Sequence, residues 1–278
     1  MTDERSVMDG NYPLSPLFKF LSLADGQTPP WRDRLTAFLD GKAYLSSPAA
    51  FNDPFDCLPP VDIPRTMNEF EERKSAFCAR IQRAMPERSL QEISDTLSTS
   101  FEDMGLDALS DITRRSFSEG GARMGVFCLA ECIQSVLMWS HYANNHQGIA
   151  LRFDFKHHLD SALMPLFKVR YSEERAVIRA FFSGEEQAEA IMTALCTKAD
   201  FWRYEQEWRF IEPDGAGTSI NFDPRIVTAI VLGAKTPDQD SFWVIDECIK
   251  RGIPVMRAVP DTETFELSFN GVYDGTRT

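Results

Sequence analysis

Four charged side chains alternate with aromatic and amide residues in Trp202-Arg203-Tyr204-Glu205-Gln206-Glu207-Trp208-Arg209. A β-strand rises ~3.3 Å per residue and turns successive side chains to opposite faces. Read as a strand, the segment puts Arg203, Glu205, Glu207 and Arg209 on one face and Trp202, Tyr204, Gln206 and Trp208 on the other. The two carboxylates then stand ~6.6 Å apart on one stripe, flanked by guanidinium groups. Such a pair suits a reaction whose transition state gains positive charge: one fixed carboxylate opposes that charge while the other moves a proton. The bland alternative is an edge strand covered by cross-strand ion pairs. Phe201, Tyr204 and Trp208 also fit a helical face, so strand and helix both stay open for residues 201–210.

Other segments carry polar groups dense enough for a site. Phe51-Asn52-Asp53-Pro54-Phe55-Asp56 is either an Asx turn fixed by Pro54 or a hook that projects Asn52 and Asp53 into a pocket. Trp139-Ser140-His141-Tyr142 is either a helix end packed by its aromatics or a wall that holds a planar ring. No third group orients Ser140 and His141, so a nucleophilic triad is not read here. Cys128-x3-Cys132 followed by His141-x4-His146 approaches zinc-ligand spacing, but eight residues separate the pairs, against about twelve in common fingers. Cys128 also sits in an apolar run, where a free thiol behaves as a small hydrophobe; no metal ligand set is assigned. Gly233-Ala234-Lys235 follows an apolar strand but lacks the further glycines of a dinucleotide fingerprint. The His157-His158 pair reads as solvent-facing.

These groups need a scaffold. Alternation predicts strands at 17–21, 43–45, 125–129, 149–155 and 167–171, and at 226–232, 253–259 and 264–269. Helical spacing covers 33–39, ended by Gly41 in the left-handed position, then 66–118, 133–140, most of 176–199 with a break at Gly184, and 238–250. Ser89-Leu90-Gln91-Glu92 fits a capping box. Four prolines make 46–60 a loop. Irregular mixing of strands and helices predicts an α+β fold: a mixed, largely antiparallel sheet core with a helical insertion and a C-terminal strand-helix-strand. Residues 1–16 read as a loose tail and 17–278 as a single domain, with 61–120 a helical insertion or lid.

Composition narrows the partners. Lys and Arg number 29 against 42 Asp and Glu, a net charge of −13. That field repels phosphate backbones and anionic bilayers, which disfavours extended nucleic-acid binding and membrane association. No apolar run approaches the ~20 residues that span a bilayer, and the polar, acidic start lacks the pattern of a signal peptide. Six scattered cysteines in a chain of 278 residues fit reduced thiols and a cytoplasmic setting.

Four motifs in fixed order resemble a known family. They are Phe-Asn-Asp-Pro-Phe-Asp at 51–56, Met-Trp-Ser-His-Tyr-Ala at 138–143, His-x-Gly at 146–148 and Tyr-Glu-Gln-Glu-Trp-Arg at 204–209. Lys19-Phe20 and Val231-Leu232-Gly233 also fit. Together they look like the bacterial family catalogued as domain of unknown function 2971. The order of a basic residue (Lys19), a middle motif (139–142) and a late Glu-x-Glu also resembles, distantly, the ADP-ribosyltransferase superfamily. The pattern departs at Leu21, where an arginine is hoped for.

That second resemblance implies an NAD-consuming transferase, with NAD as substrate and an unknown macromolecular or small-molecule acceptor. Glu207 would stabilise the charge that develops on the ribose, and Glu205 would orient or deprotonate the acceptor. Trp139 or Tyr142 would stack on nicotinamide, with Ser140 and His141 beside them. Asn52, next to Asp53, would bind ribose or amide, and Lys19 and Arg209 the pyrophosphate. The protein itself would then be a bacterial toxin or defence effector. Two other readings stand beside it. One is a non-catalytic binding or sensing module, in which Glu205 and Glu207 pair with Arg203 and Arg209 and line no pocket. The other is a metal-dependent nuclease built on Asp53, Asp56, Glu205 and Glu207.

Overall fold

The computed structural model describes residue 13 and residues 15–26, 28–155, 165–179 and 184–276. Its first half runs β1 (Leu17–Leu21), α1 (Trp31–Leu39), β2 (Lys42–Tyr44), β3 (Val61–Asp62), α2 (Met67–Ala84), α3 (Leu90–Arg123), β4 (Gly125–Ala130), α4 (Val136–Tyr142) and β5 (Ile149–Phe153). The second half begins with β6 (Leu166–Lys168), β7 (Arg170–Ser172), β8 (Ile178–Arg179), α5 (Gly184–Leu195), β9 (Thr197–Ala199) and β10 (Glu207–Glu212). It ends with β11 (Ser219–Asn221), β12 (Val227–Leu232), α6 (Asp238–Arg251), β13 (Val255–Pro260) and β14 (Leu267–Tyr273). The expected tail at 1–16 and the His157-His158 pair fall wholly or mostly outside the described residues.

The fold is α+β. Eight strands form one sheet in the order β14-β13-β12-β5-β1-β4-β10-β6. Its neighbours run antiparallel except β12 and β13, which are parallel because α6 carries the chain back between them. One sheet face takes Leu17, Leu21, Phe127, Leu129, Leu151, Ile230 and their neighbours into a core closed by Leu35, Phe38 and Leu39 of α1 and Val244 and Cys248 of α6. The other face packs Phe18, Phe20, Ala130, Ala150 and Val231 against Met138 and Trp139 of α4. Period-two alternation along β1 and β4 sorts these residues between the two cores.

Local chemistry explains most element ends. Ser89 and Glu92 close the capping box on α3. The chain leaves the helical region inside α3 at Gly105, φ 74°, so the block at 66–118 is interrupted there and again between α2 and α3. Two pattern readings need correction. The strand expected at 167–171 splits at Val169, because Val169 N–H bonds Glu207 O (2.9 Å) while Arg170 N–H bonds Cys196 O (2.7 Å). Among the described residues of 176–199, Gly184–Leu195 is helical, while Ile178–Arg179 and Thr197–Ala199 are the short strands β8 and β9. Strands of two or three residues are too brief to show a period.

Candidate active site

β1 and β4 share a single register pair, Phe18 with Ala130, whereas β1 and β5 share five. Beyond that pair the next antiparallel positions, Lys19 opposite Leu129 and Phe20 opposite Cys128, do not continue the ladder. Lys19 Nζ reaches into the gap and donates to Cys128 O at 3.0 Å. Ser46 pairs with Val126 farther along the same edge of β4. The parting strands leave a pocket of about 400 Å³. β1 and β4 form one wall, α4 supplies His141 and Tyr142, the loop after β2 supplies Phe51, Asn52 and Asp56, and Lys198, Glu205 and Glu207 close the end.

The segment 201–210 is neither one strand nor one helix. Residues Asp200–Glu205 form a 3-10 turn, Gln206 takes the left-handed conformation (φ 44°, ψ 55°), and β10 begins at Glu207. The reversal at Gln206 removes the predicted stripe of four charges. Arg203 turns outward and pairs with Asp200 through its Nε at 3.0 Å. Glu205 and Glu207 still face the same pocket, because the turn rotates Glu205 back toward the face that Glu207 occupies on β10. A left-handed non-glycine residue costs of the order of 1 kcal/mol, and such positions cluster at functional sites.

A buried ion cluster surrounds the acidic pair. Arg209, 0% exposed, donates from Nη1 and Nη2 to both oxygens of Asp56 (2.8 and 2.7 Å) and from Nε and Nη2 to both oxygens of Glu207 (2.9 and 2.8 Å). Its Nη1 also donates to Leu195 O at 2.6 Å and to Cys57 Sγ at 2.9 Å. Lys198 Nζ lies 3.3 Å from both Asp56 and Glu207, bonds Glu205, and sits 5.0 Å from the Trp202 ring centre. Tyr142 OH donates to Glu205 at 2.5 Å, and Glu207 N–H donates to Tyr171 OH at 2.8 Å. Three carboxylates thus share two cations within the cluster, and Lys19 adds a third cation to the pocket lining.

The two glutamates titrate in opposite directions. Burial raises Glu205, and the Glu207 charge adds to that against the pull of Lys198. Burial would raise Glu207 too, but Arg209 and Lys198 outweigh it and hold that carboxyl down at about 2. Burial opposes charge on Lys198, yet Glu207, Asp56 and Glu205 together raise its pKa. Burial, then Glu205, pushes the Tyr142 hydroxyl up, so it stays a proton donor. The same cluster thus favours the ionised form of Glu207 and pushes Glu205 toward its neutral form.

The predicted site residues separate into two groups. Lys19, Asn52, His141, Tyr142, Glu205 and Glu207 line the one pocket. Trp139, Ser140, Asp53 and Arg209 do not. Trp139 is fully buried, donates Nε1–H to Ile133 O (2.7 Å) and meets Phe20 edge-on, so it cannot stack on a ligand. Ser140 Oγ donates to Val136 O (2.9 Å) and lies 3.4 Å from His146 Nε2. Asp53 is buried and accepts from Phe55 N–H at 2.9 Å, the Asx turn. Arg209 lies behind the pocket with Nε, Nη1 and Nη2 all engaged, which leaves it no role on a pyrophosphate. The pairing of Glu205 with Arg203 is not formed, and both glutamates line a pocket.

Several important residues were not legible as such. Asp56 closes the motif at 51–56 and is given a role of its own only in the metal reading, yet it anchors Arg209 across 153 residues of chain. Lys198 lay in a segment read as helix. Its ammonium occupies the point on which Asp56, Glu205 and Glu207 converge. The glycines of two motifs are structural: a Cβ on Gly233 would collide with the His146 carbonyl, and one on Gly148 with Leu21 O. Gly233 N–H and Thr236 Oγ1–H both bond Gly148 O (2.9 and 2.8 Å), which locks the turn after α4 onto the end of β12.

No helix among the described residues is long and apolar enough to cross a membrane. No curated protein and no solved structure matches the chain. Residues 138–210, from the start of the Met-Trp-Ser-His-Tyr-Ala motif to the second half of β10, match the model of the family described as Protein of unknown function (DUF2971), the same family that the motifs resemble.

Proposed function

We propose that the pocket is the active site of an NAD-consuming, ADP-ribosyltransferase-like enzyme acting on a macromolecular or small-molecule acceptor. The observation that carries this reading is the convergence of Asp56, Glu205 and Glu207 around Lys198 and Arg209 at the end of an aromatic-walled pocket whose β1 wall holds Lys19. A planar cation such as the nicotinamide ring suits Phe18, Phe20, His141 and Tyr142 as walls and the carboxylates as counter-charge. The volume of about 400 Å³ suits the nicotinamide riboside half; Lys19 at the fork is the cation left for the phosphates. NAD supplies a ribose carbon whose bond to nicotinamide breaks with the electron pair leaving on the ring.

The protein's own part follows from the two pKa directions. Glu207, held ionised by Arg209 and Lys198, opposes positive charge developing on the ribose without itself moving. Glu205 accepts the proton of the acceptor as that acceptor bonds the ribose carbon, and Tyr142 fixes the carboxylate that does so. Two rival readings make different demands. A binding module predicts that Glu205 can be neutralised without loss of any turnover. A metal-dependent nuclease must first displace Lys198 from among its three carboxylates. Purified protein with NAD, assayed for nicotinamide release, tests the proposal. Release from the wild type, lost in Glu205→Gln while NAD still binds, is the expected result. No release and no NAD binding by the wild type defeats it.

A further inference from the structure

A second, larger cleft of about 990 Å³ opens between α3, α5 and the chain at 57–61. Cys57 lines it, while the preceding residue, Asp56, lines the carboxylate pocket. Its described walls are apolar, with Leu58, Val61, Phe77, Leu97, Phe117 and Ile191 among them. The described lining holds two cations, Arg114 and Arg175, and no carboxylate, in a chain where acids outnumber bases 42 to 29. Arg114 is 63% exposed with Asp111 at 3.9 Å. Arg175 donates to Leu58 O, and its guanidinium lies 5.2 Å from the Phe55 ring centre. The cleft is open to solvent, so an apolar ligand that displaces water from its walls gains by removing apolar surface from water. Ligand sites span roughly 300–1,000 Å³ and combine apolar walls with a few polar groups, as here.

We propose that this cleft binds a single-tailed anionic amphiphile of the fatty-acid type, with its tail on the apolar walls and its carboxylate at Arg114 and Arg175. The net charge of −13 repels such an anion from the molecule at large. The charge-assisted part of binding therefore has to come from Arg175 and from Arg114, whose exposed partner Asp111 lies outside the lining at 3.9 Å. A cationic head would find no acid among the described lining residues.

Calorimetric titration with octanoate, decanoate and dodecanoate, each below its micelle threshold, tests the proposal. The expected result is one saturable site that tightens about fourfold per methylene (about 0.8 kcal/mol) until the cleft is full. Decanol should bind about tenfold or more weakly than decanoate, since it lacks the charge-assisted bonds. The double variant Arg114→Gln/Arg175→Gln should bring decanoate to the level of decanol, and Ile191→Trp should weaken both by filling the space. Both arginines are exposed, so circular dichroism of the double variant should match the wild type. Absence of a saturable site, equal affinity for decyltrimethylammonium, or an unaffected double variant overturns the proposal. Sedimentation with anionic phospholipid vesicles without decanoate binding overturns it too, and assigns the face to a membrane surface.

Discussion

Arg203 and Arg209 bracket the acidic pair and look equivalent in the sequence, yet they stand in opposite environments. The Arg203 side chain is 63% exposed and pairs with Asp200, itself 45% exposed. Arg209 is 0% exposed and holds two carboxylates that are also almost wholly covered. In water a pair such as the first gains little, because solvent screening and side-chain entropy offset the attraction. Inside the protein, removing one member of the second strands an uncompensated charge. The alternation of charged residues therefore says nothing about their worth; the left-handed turn at Gln206 decides it.

The comparison can be broken most forcefully at Arg209. Substitution Arg209→Met should cost about 3–5 kcal/mol of unfolding free energy in a urea titration, because Asp56 and Glu207 lose their partner. A loss below 1 kcal/mol would mean the cluster is not the buried network described. Next, Glu205→Gln should lower nicotinamide release about 10²-fold or more while leaving the fold intact, as expected for removal of a positioned proton acceptor. In the wild type, release should rise with pH through a pKa above the ordinary 4.5 of glutamate, since burial raises Glu205, and that limb should vanish in Glu205→Gln.

Stability against pH sharpens the contrast between the two glutamates. Glu207 has a depressed pKa, so its stabilisation is complete above the ordinary 4.5 and is lost as pH falls toward about 2. Glu205 has a raised pKa, so its contribution is complete below 4.5 and is lost as pH rises through the raised value. Denaturation measured across pH should therefore show the acid-side decline flattened in Glu207→Gln, and a relative gain for Glu205→Gln on the alkaline side of its pKa. The smallest effect belongs to Arg203→Ala, about 1 kcal/mol or less, reduced further by added salt. A larger loss would place Arg203 inside the network.

How much of this was legible depends on the range of the interaction. The strand expected at 149–155, which runs over 149–153, and the capping box at 89–92 follow from neighbours within a few residues. The α+β architecture followed from the irregular mixture of such elements. The motifs predict that the Asn52-Asp53 turn, the stretch at 139–142 and the acidic pair share one hollow; Asn52, His141, Tyr142, Glu205 and Glu207 do share it, and Asp53, Trp139 and Ser140 do not line it. Trp139 and Ser140 could not be told from His141 and Tyr142 by type, because adjacent positions on a short helix point to the core and to the pocket alike. Lys198 was invisible: its partners lie 142, 7 and 9 residues away, at Asp56, Glu205 and Glu207, and no local pattern marks an ammonium that will be enclosed by them.

The single pair that joins β1 to β4 divides the large sheet into a five-strand half and a three-strand half. Main-chain hydrogen bonding is thinnest along that seam, so it is where the sheet opens first under thermal agitation, and amides beside it should exchange with solvent before those of β5 or β10. The pocket lies on this line of weakness. Whatever occupies it fastens the two halves together, and stiffening of the whole sheet would announce a bound molecule even before its chemistry is known.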